Sequence, residues 1–207
     1  VDLTDGVQSV SKAEYNLQQR LEKVQSIIES NRFLNRERLG GELPFWIFDY
    51  PAELELEVRS YIEDLENRLK RKKMEFIHIN LFHCLIEILE SRNLLEKSYQ
   101  LEKKKGAAGL KKALKAPLDQ EKVADFISSK IQKQDRQFVL ISGLGSAWPL
   151  LRGHSILNAL HSRLGGLPMV LFYPGTYSGT ELKTFGIIES SNYYRAFDLV
   201  PDEEKQV

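Results

Sequence analysis

A single cysteine, Cys84, is present in the 207-residue chain. An intramolecular disulfide and a cysteine-built zinc site each need more than one thiol, so both are excluded, and a reducing compartment fits. Net charge is also missing: Lys+Arg and Asp+Glu number 29 each, so bulk charge selects no partner. No apolar run reaches the roughly 18–20 residues that span a bilayer. The first residues lack the basic flank and apolar core of an export signal. A soluble cytoplasmic protein without a membrane partner is expected. Common catalytic motifs are missing too. Ser142 and Ser146 sit in no Gly-x-Ser-x-Gly elbow. His83 and Cys84 are neighbours whose side chains diverge by about 100° on a helix, which opposes a Cys–His pair. His154 and His161 are two turns apart, roughly 10.5 Å by helix rise, too far to clamp one metal ion. No cofactor, metal or catalytic residue is expected.

What is present is alternation of strands and helices. Val10, Ala13, Leu17, Leu21, Val24 and Ile28 form an apolar stripe that predicts a helix over 9–32, ended by Gly40-Gly41. Leu43 to Tyr50 reads as a buried strand, with Pro44 at its start where no ladder donor is needed. Leu54, Val58, Tyr61, Ile62, Leu65 and Leu69 place a helix over 53–70. Glu75 to Ile79 is a short strand, and Asn80 can cap a helix with Leu81, Phe82, Leu85, Ile86 and Leu89, apolar almost all round. Residues 94–117 read as a Lys-rich, exposed helical insertion, interrupted at Gly106 and Gly109 and closed by Pro117. Asp119 can cap a helix to about Gln134. Phe138 to Ile141 is a third strand. A helix over 152–164 follows, stopped by Gly165-Gly166. Pro168 to Tyr173 is a fourth strand, ended by Pro174-Gly175. Thr180 to Phe185 reads as a short helix or turn, and Tyr194 to Val200 as an edge strand. The expected fold is α/β: a three-layer domain over 42–201, with a mainly parallel sheet of about five strands and helices on both faces. Residues 1–41 add an N-terminal helix, and 202–207 a tail.

The stretch from Arg136 to Arg152 has the strand–glycine loop–helix layout that holds phosphates in parallel α/β proteins. The loop Gly143-Leu144-Gly145-Ser146 can offer N–H groups to an anion. Yet no Lys-Ser or Lys-Thr follows, and Trp148-Pro149 takes that space. The topology is nucleotide-binding-like without a Walker A motif. A tight turn between strand and helix also explains the glycines. Four strands end in a polar residue: Asp49, Asn80, Ser142 and Tyr173. If the strands are parallel, these gather at the carboxyl edge of the sheet, where such folds bind ligands. His78, inside a strand, reads as a hydrogen-bonded core histidine.

Charge is unevenly spread. Glu42 to Glu66 holds eight acids, and Lys97 to Lys115 holds seven lysines against Glu102. Both segments fit solvated helix faces, and both also fit docking surfaces. Lys103, Lys104, Lys105, Lys111 and Lys112 are the candidate contacts for a nucleic-acid backbone. Aromatic residues cluster around the strand ends and loops: Phe45, Trp46, Phe48, Tyr50, Trp148, Phe172, Tyr173, Tyr177, Tyr193 and Tyr194. They either plug the end of the sheet or anchor an interface.

Leu-Pro-Phe-Trp-Ile-Phe-Asp-Tyr-Pro (43–51), Val-Leu-Ile-Ser-Gly-Leu-Gly-Ser-Ala-Trp-Pro-Leu-Leu-Arg (139–152), Val-Leu-Phe-Tyr-Pro-Gly (170–175) and Asn-Tyr-Tyr-Arg-Ala-Phe (192–197) resemble, in that order, the BrxB family. This family supplies a small component of bacterial BREX phage-defence systems. The resemblance covers about Gly40 to Pro201. It implies a role in a multi-protein system that includes a DNA methyltransferase, an alkaline-phosphatase-like protein (PglZ) and a large ATPase (BrxC). It carries no catalytic motif, so a non-catalytic adaptor is expected. That adaptor would bridge PglZ to other components, with BrxC and the methyltransferase as further partners. A subunit that contacts DNA or RNA through Lys97 to Lys115 is the alternative. On either reading Asp49, Asn80, Ser142, Trp148, Arg152 and Tyr173 are the candidate partner-contact or sheet-edge residues.

Overall fold

The computed structural model describes residues 11–34, 45–132, 137–164, 166–189 and 196–202. Val10, Gly40-Gly41, Leu43-Pro44, Gln134, Arg136, Gly165, Tyr193, Tyr194 and the tail from 203 lie outside the described residues.

Helix α1 (Lys12–Ile28) starts at a reciprocal cap. The Glu14 N–H donates to Ser11 Oγ at 3.2 Å, and the Ser11 N–H donates to Glu14 Oε2 at 2.6 Å. The expected longer helix breaks at Ser30, whose hydroxyl accepts from the Phe33 N–H and starts the single turn α2 (Asn31–Leu34). Strand β1 (Phe45–Tyr50) is buried along its whole length. Pro51 and a 3-10 turn lead into α3 (Glu55–Arg71), which buries Val58, Ile62, Leu65 and Leu69 at spacings of three and four. Next come β2 (Phe76–Asn80) and α4 (Leu81–Ser91). Burial of α4 is one-sided, contrary to its apolar composition. Leu81, Cys84, Leu85, Ile88 and Leu89 face the sheet, while Phe82 stays 38% exposed. Helix α5 (Leu95–Leu114) bends at Gly106 (φ 66°), and α6 (Gln120–Gln132) follows.

Strand β3 (Phe138–Ser142), the single turn α7 (Leu144–Ala147), α8 (Gly153–Leu164) and β4 (Met169–Tyr177) come next. Pro174-Gly175 does not end β4. The strand runs on and pairs antiparallel with β5 (Leu182–Thr184), which replaces the expected helix or turn over 180–185. Gly175 decides this: a Cβ there would lie 2.2 Å from the Lys183 carbonyl, so only glycine lets the two backbones close. Strands β6 (Ile188–Glu189) and β7 (Phe197–Asp198) complete the chain.

The central sheet runs β2-β3-β4-β1-β7, with every pair parallel, and the β5–β6 hairpin hangs off β4. The chain crosses the sheet one way from β1 to β2 and the other way from β2 through β3 to β4. Right-handed crossovers then require α3 on one face and α4 to α8 on the other. Side chains sort accordingly with period two. Trp46, Phe48, Phe138, Leu140, Val170 and Phe172 meet α1, α2 and α3. Phe45, Ile47, Val139, Ile141, Met169 and Leu171 meet α4, α6 and α8. The three-layer α/β architecture follows from these two cores.

One charged group is built into the first core. Arg20 of α1 is 5% exposed. It donates from Nη2 to Asp49 Oδ1 at 2.8 Å, from Nη1 to the Asp49 carbonyl at 2.8 Å, and from Nε to the Val200 carbonyl at 3.0 Å. The other Asp49 oxygen accepts the Tyr177 N–H at 2.7 Å. Truncation of Arg20 to Met strands a buried carboxylate, and a loss of about 3–5 kcal/mol is expected in urea unfolding. A loss below about 1 kcal/mol would mean that Asp49 is accommodated some other way.

Candidate functional site

The parallel sheet brings the four polar strand ends together as two register pairs: Asp49 opposite Tyr173, and Asn80 opposite Ser142. The gathering expected at the carboxyl edge is therefore present, but its members are mostly turned inward. Asp49 is spent on Arg20 and Tyr177. Tyr173 is 1% exposed, and its hydroxyl pairs with Thr184 Oγ1 at 2.8 Å. Burial pushes that phenol up to about 12, so it stays neutral. Neighbouring Tyr50 donates to Glu55 Oε2 at 2.6 Å. Burial first, then the Glu55 carboxylate, hold its phenol far above the ordinary value.

The glycine loop is no anion cradle. Gly143 is left-handed (φ 76°), and a Cβ there would lie 2.3 Å from Asn80 Oδ1. A Cβ at Gly145 would lie 3.2 Å from Pro174 and 3.5 Å from Phe185. The two glycines let the loop fit under Asn80 and against the β5 hairpin, so close packing explains them.

Beside this edge a cleft of about 500 Å³ runs along β2, the last strand of the sheet, with α3 on one side and α4 and α6 on the other. Within it the structure joins three residues that motif reasoning does not connect. His78 Nε2 lies 2.7 Å from Ser142 Oγ, and His78 Nδ1 pairs with the Glu66 carboxylate. An ionised Glu66 places the ring proton on Nδ1, which leaves Nε2 to accept from the Ser142 hydroxyl. This is the connectivity of a nucleophile–base–carboxylate relay. Two features oppose catalytic use. Ser142 is only 6% exposed. The cations facing the cleft are committed: Arg59 to Glu55 and Ser146, and Lys130 to Glu87, each at 2.8 Å. Among the described residues, neither of these cations is thus left free to face a developing oxyanion. Cys84, also on the cleft wall, is pushed up to about 11 by burial and is a poor nucleophile at neutral pH. Glu66, His78 and Ser142 are separated by 12 and 64 positions, so only the fold relates them. Among the described residues, no group of three or more His, Cys, Asp and Glu is placed to hold a metal ion. His154 pairs with Asn158 instead.

The loop after β3 is where side chains reach solvent. Trp148 is 40% exposed and meets Phe185 edge to face, with ring centroids 5.7 Å apart. Ile187, at the turn of the β5–β6 hairpin, is 80% exposed. Apart from Trp148, the described aromatic residues of the predicted cluster are buried and plug the sheet. Arg152 lines a second groove of about 620 Å³, with Lys111 and Lys112 across from it. Lys103, Lys104 and Lys105 are exposed before the bend at Gly106 and do not line that groove. The five candidate lysines therefore form two groups. Sequence reasoning does not reach Phe185 and Ile187 as contact residues; the one available signal is the apolar group Phe185-Gly186-Ile187-Ile188 around a turn-forming glycine.

Residues 77–199 match the family model described as "BREX protein BrxB". A protein of that name from Escherichia coli O9:H4 (strain HS) is 46% identical over 186 residues, covering 90% of this chain and 92% of the relative. Another, from Bacillus cereus (strain H3081.97), is 36% identical over 189 residues, covering 89% and 97%. No solved structure matches the chain.

Proposed function

The chain belongs to the BrxB family of BREX proteins, and on that premise we propose that it is a non-catalytic adaptor that bridges PglZ to other BREX components. Membership makes it a BREX component and supports a role in phage defence. The bridging role is our reading. The observation that carries it is the solvent-facing pair Trp148–Phe185 beside Ile187, at the end of an otherwise well-plugged sheet. Exposed Trp and Ile next to a rigid strand end lose little entropy on docking, and buried tryptophans are common interface hot spots. The polar strand ends Asp49, Asn80, Ser142 and Tyr173 are committed to internal contacts, which favours this patch as a place to meet a partner. BrxC and the methyltransferase are the further components we propose within its reach. No helix among the described residues is long and apolar enough to cross a membrane.

Co-expression with PglZ tests the reading. Stable co-purification is expected. The double variant Trp148→Ala with Ile187→Ser should weaken association at least about tenfold while leaving the unfolding midpoint nearly unchanged. Failure of the wild-type proteins to associate at any salt concentration would sink it.

The non-catalytic part has its own test. On this reading the Ser142–His78–Glu66 relay ties α3 to β2 and β3, and a fluorophosphonate reagent leaves Ser142 unmodified. Stoichiometric labelling at Ser142 that disappears in His78→Gln would make the protein a serine-dependent enzyme instead.

A further inference from the structure

The second groove brings together charges that lie far apart in the chain. Its walls are the half of α5 beyond Gly106, the start of α6, and the 149–155 segment. Lys111, Lys112, Lys115 and Arg152 line it, with Asp119 as the acid among them. None of these four cations has an ion pair or side-chain hydrogen bond among the described residues. Some surface cations elsewhere are paired, as Arg163 is with Glu121 and Asp125, Lys130 with Glu87, and Lys72 with Glu29. Asp119 is itself occupied, accepting the Glu121 N–H at 3.1 Å. With four cations and one carboxylate among its lining residues, the groove carries a net positive charge.

Its floor is apolar. Leu114 and Leu118 are 6% and 2% exposed, and half-buried Pro149 and Leu150 face them. Gln120, on the wall, has a buried Oε1 with no donor among the described residues. The N-termini of α6 and α8 open here as well and add to the positive potential.

We infer that this groove binds an acidic amphipathic segment of a partner protein, with apolar side chains on the leucine floor and carboxylates on the Lys111–Lys112–Lys115–Arg152 rim. The inference rests on the adaptor reading and names the chemistry of one partner contact. One observation selects a protein segment over a single-stranded nucleic acid: the floor is leucine and proline, with no aromatic side chain among the lining residues for bases to stack on. An amphipathic helix, anchored by apolar side chains and framed by complementary charge, fits it.

The test uses a fluorescein-labelled model helix with Leu on one face and Glu on the other. Its controls are a scrambled peptide of identical composition and a single-stranded oligonucleotide of equal charge. Fluorescence anisotropy should show binding of the amphipathic helix that weakens with salt. Affinity should fall at least about tenfold for the scrambled peptide, for the oligonucleotide, and for the Lys111→Glu, Lys112→Glu, Lys115→Glu, Arg152→Glu variant. These exposed positions leave the cores intact, so the variant should fold. Equal affinity for the scrambled peptide, or equal or tighter binding of the oligonucleotide, overturns the inference. Retention of PglZ by a variant that has lost the peptide shows that the groove does not carry the PglZ contact, and the adaptor reading survives on the Trp148 patch. Loss of both in the variant supports the groove. Failure of wild-type protein to hold PglZ removes the adaptor reading, and the peptide result still decides the groove.

Discussion

The fold depends on one buried guanidinium. Arg20 reaches from α1 across the end of β1 and holds the Asp49 carboxylate, the Asp49 carbonyl and the Val200 carbonyl at once, with Phe48 4.8 Å beneath it. Asp49 passes the constraint on to β4 through the Tyr177 N–H. Four segments distant in sequence meet on this pair: the first helix, strand β1, the strand β4 that carries the hairpin, and the residues just after β7. Burial of two charges is expensive, and a well-packed apolar pair can be equally stable. What the ion pair adds is position. Its donors and acceptors are satisfied in only one arrangement, so it sets where α1 lies over the sheet and where β4 turns into β5.

That placement decides which parts of the carboxyl edge are left for function. With Asp49 and Tyr173 consumed, and the glycine loop packed under Asn80 and the hairpin, the edge has little capacity to bind a nucleotide. What remains is the loop from Trp148 to Arg152, whose Trp148–Pro149 bond is cis. Trp148 turns toward the β5–β6 hairpin and Arg152 toward the lysines of α5. On the proposed bridging role, these would be two contact regions a few residues apart on the loop that follows β3.

Much of this is legible in the sequence. Unbroken apolar runs such as Phe45 to Phe48 and Phe138 to Ile141 mark strands buried on both faces, and helical stripes such as Val58-Ile62-Leu65-Leu69 state which face is inside. The parallel pairing of the four polar strand ends follows from strand–helix alternation. Other features have no local signature. Arg20 shares a stripe with Leu17, Leu21 and Val24, yet a charged side chain there reads as outward-facing until the carboxylate of β1 is placed against it. His78 reads as a core histidine, which describes its burial but not its partners, since Glu66 and Ser142 lie on other elements. Strand β5 is polar and short, and exists because Gly175 permits a close backbone approach. The lysines of α5 and Arg152 are some forty positions apart, and only the bend at Gly106 and the turn at Pro117 bring them to one groove.

The central claim is that the 148–152 loop, flanked by the groove on one side and the hairpin on the other, is the surface through which this BrxB-family protein joins its assembly. Hydrogen–deuterium exchange, measured on the free protein and on the protein co-purified with its BREX partners, tests it most directly. The account predicts added protection over 108–120 and 148–155, or over the 185–189 turn, with α1 and α3 unchanged. Protection confined to α1, α3 or the cleft along β2 would contradict it.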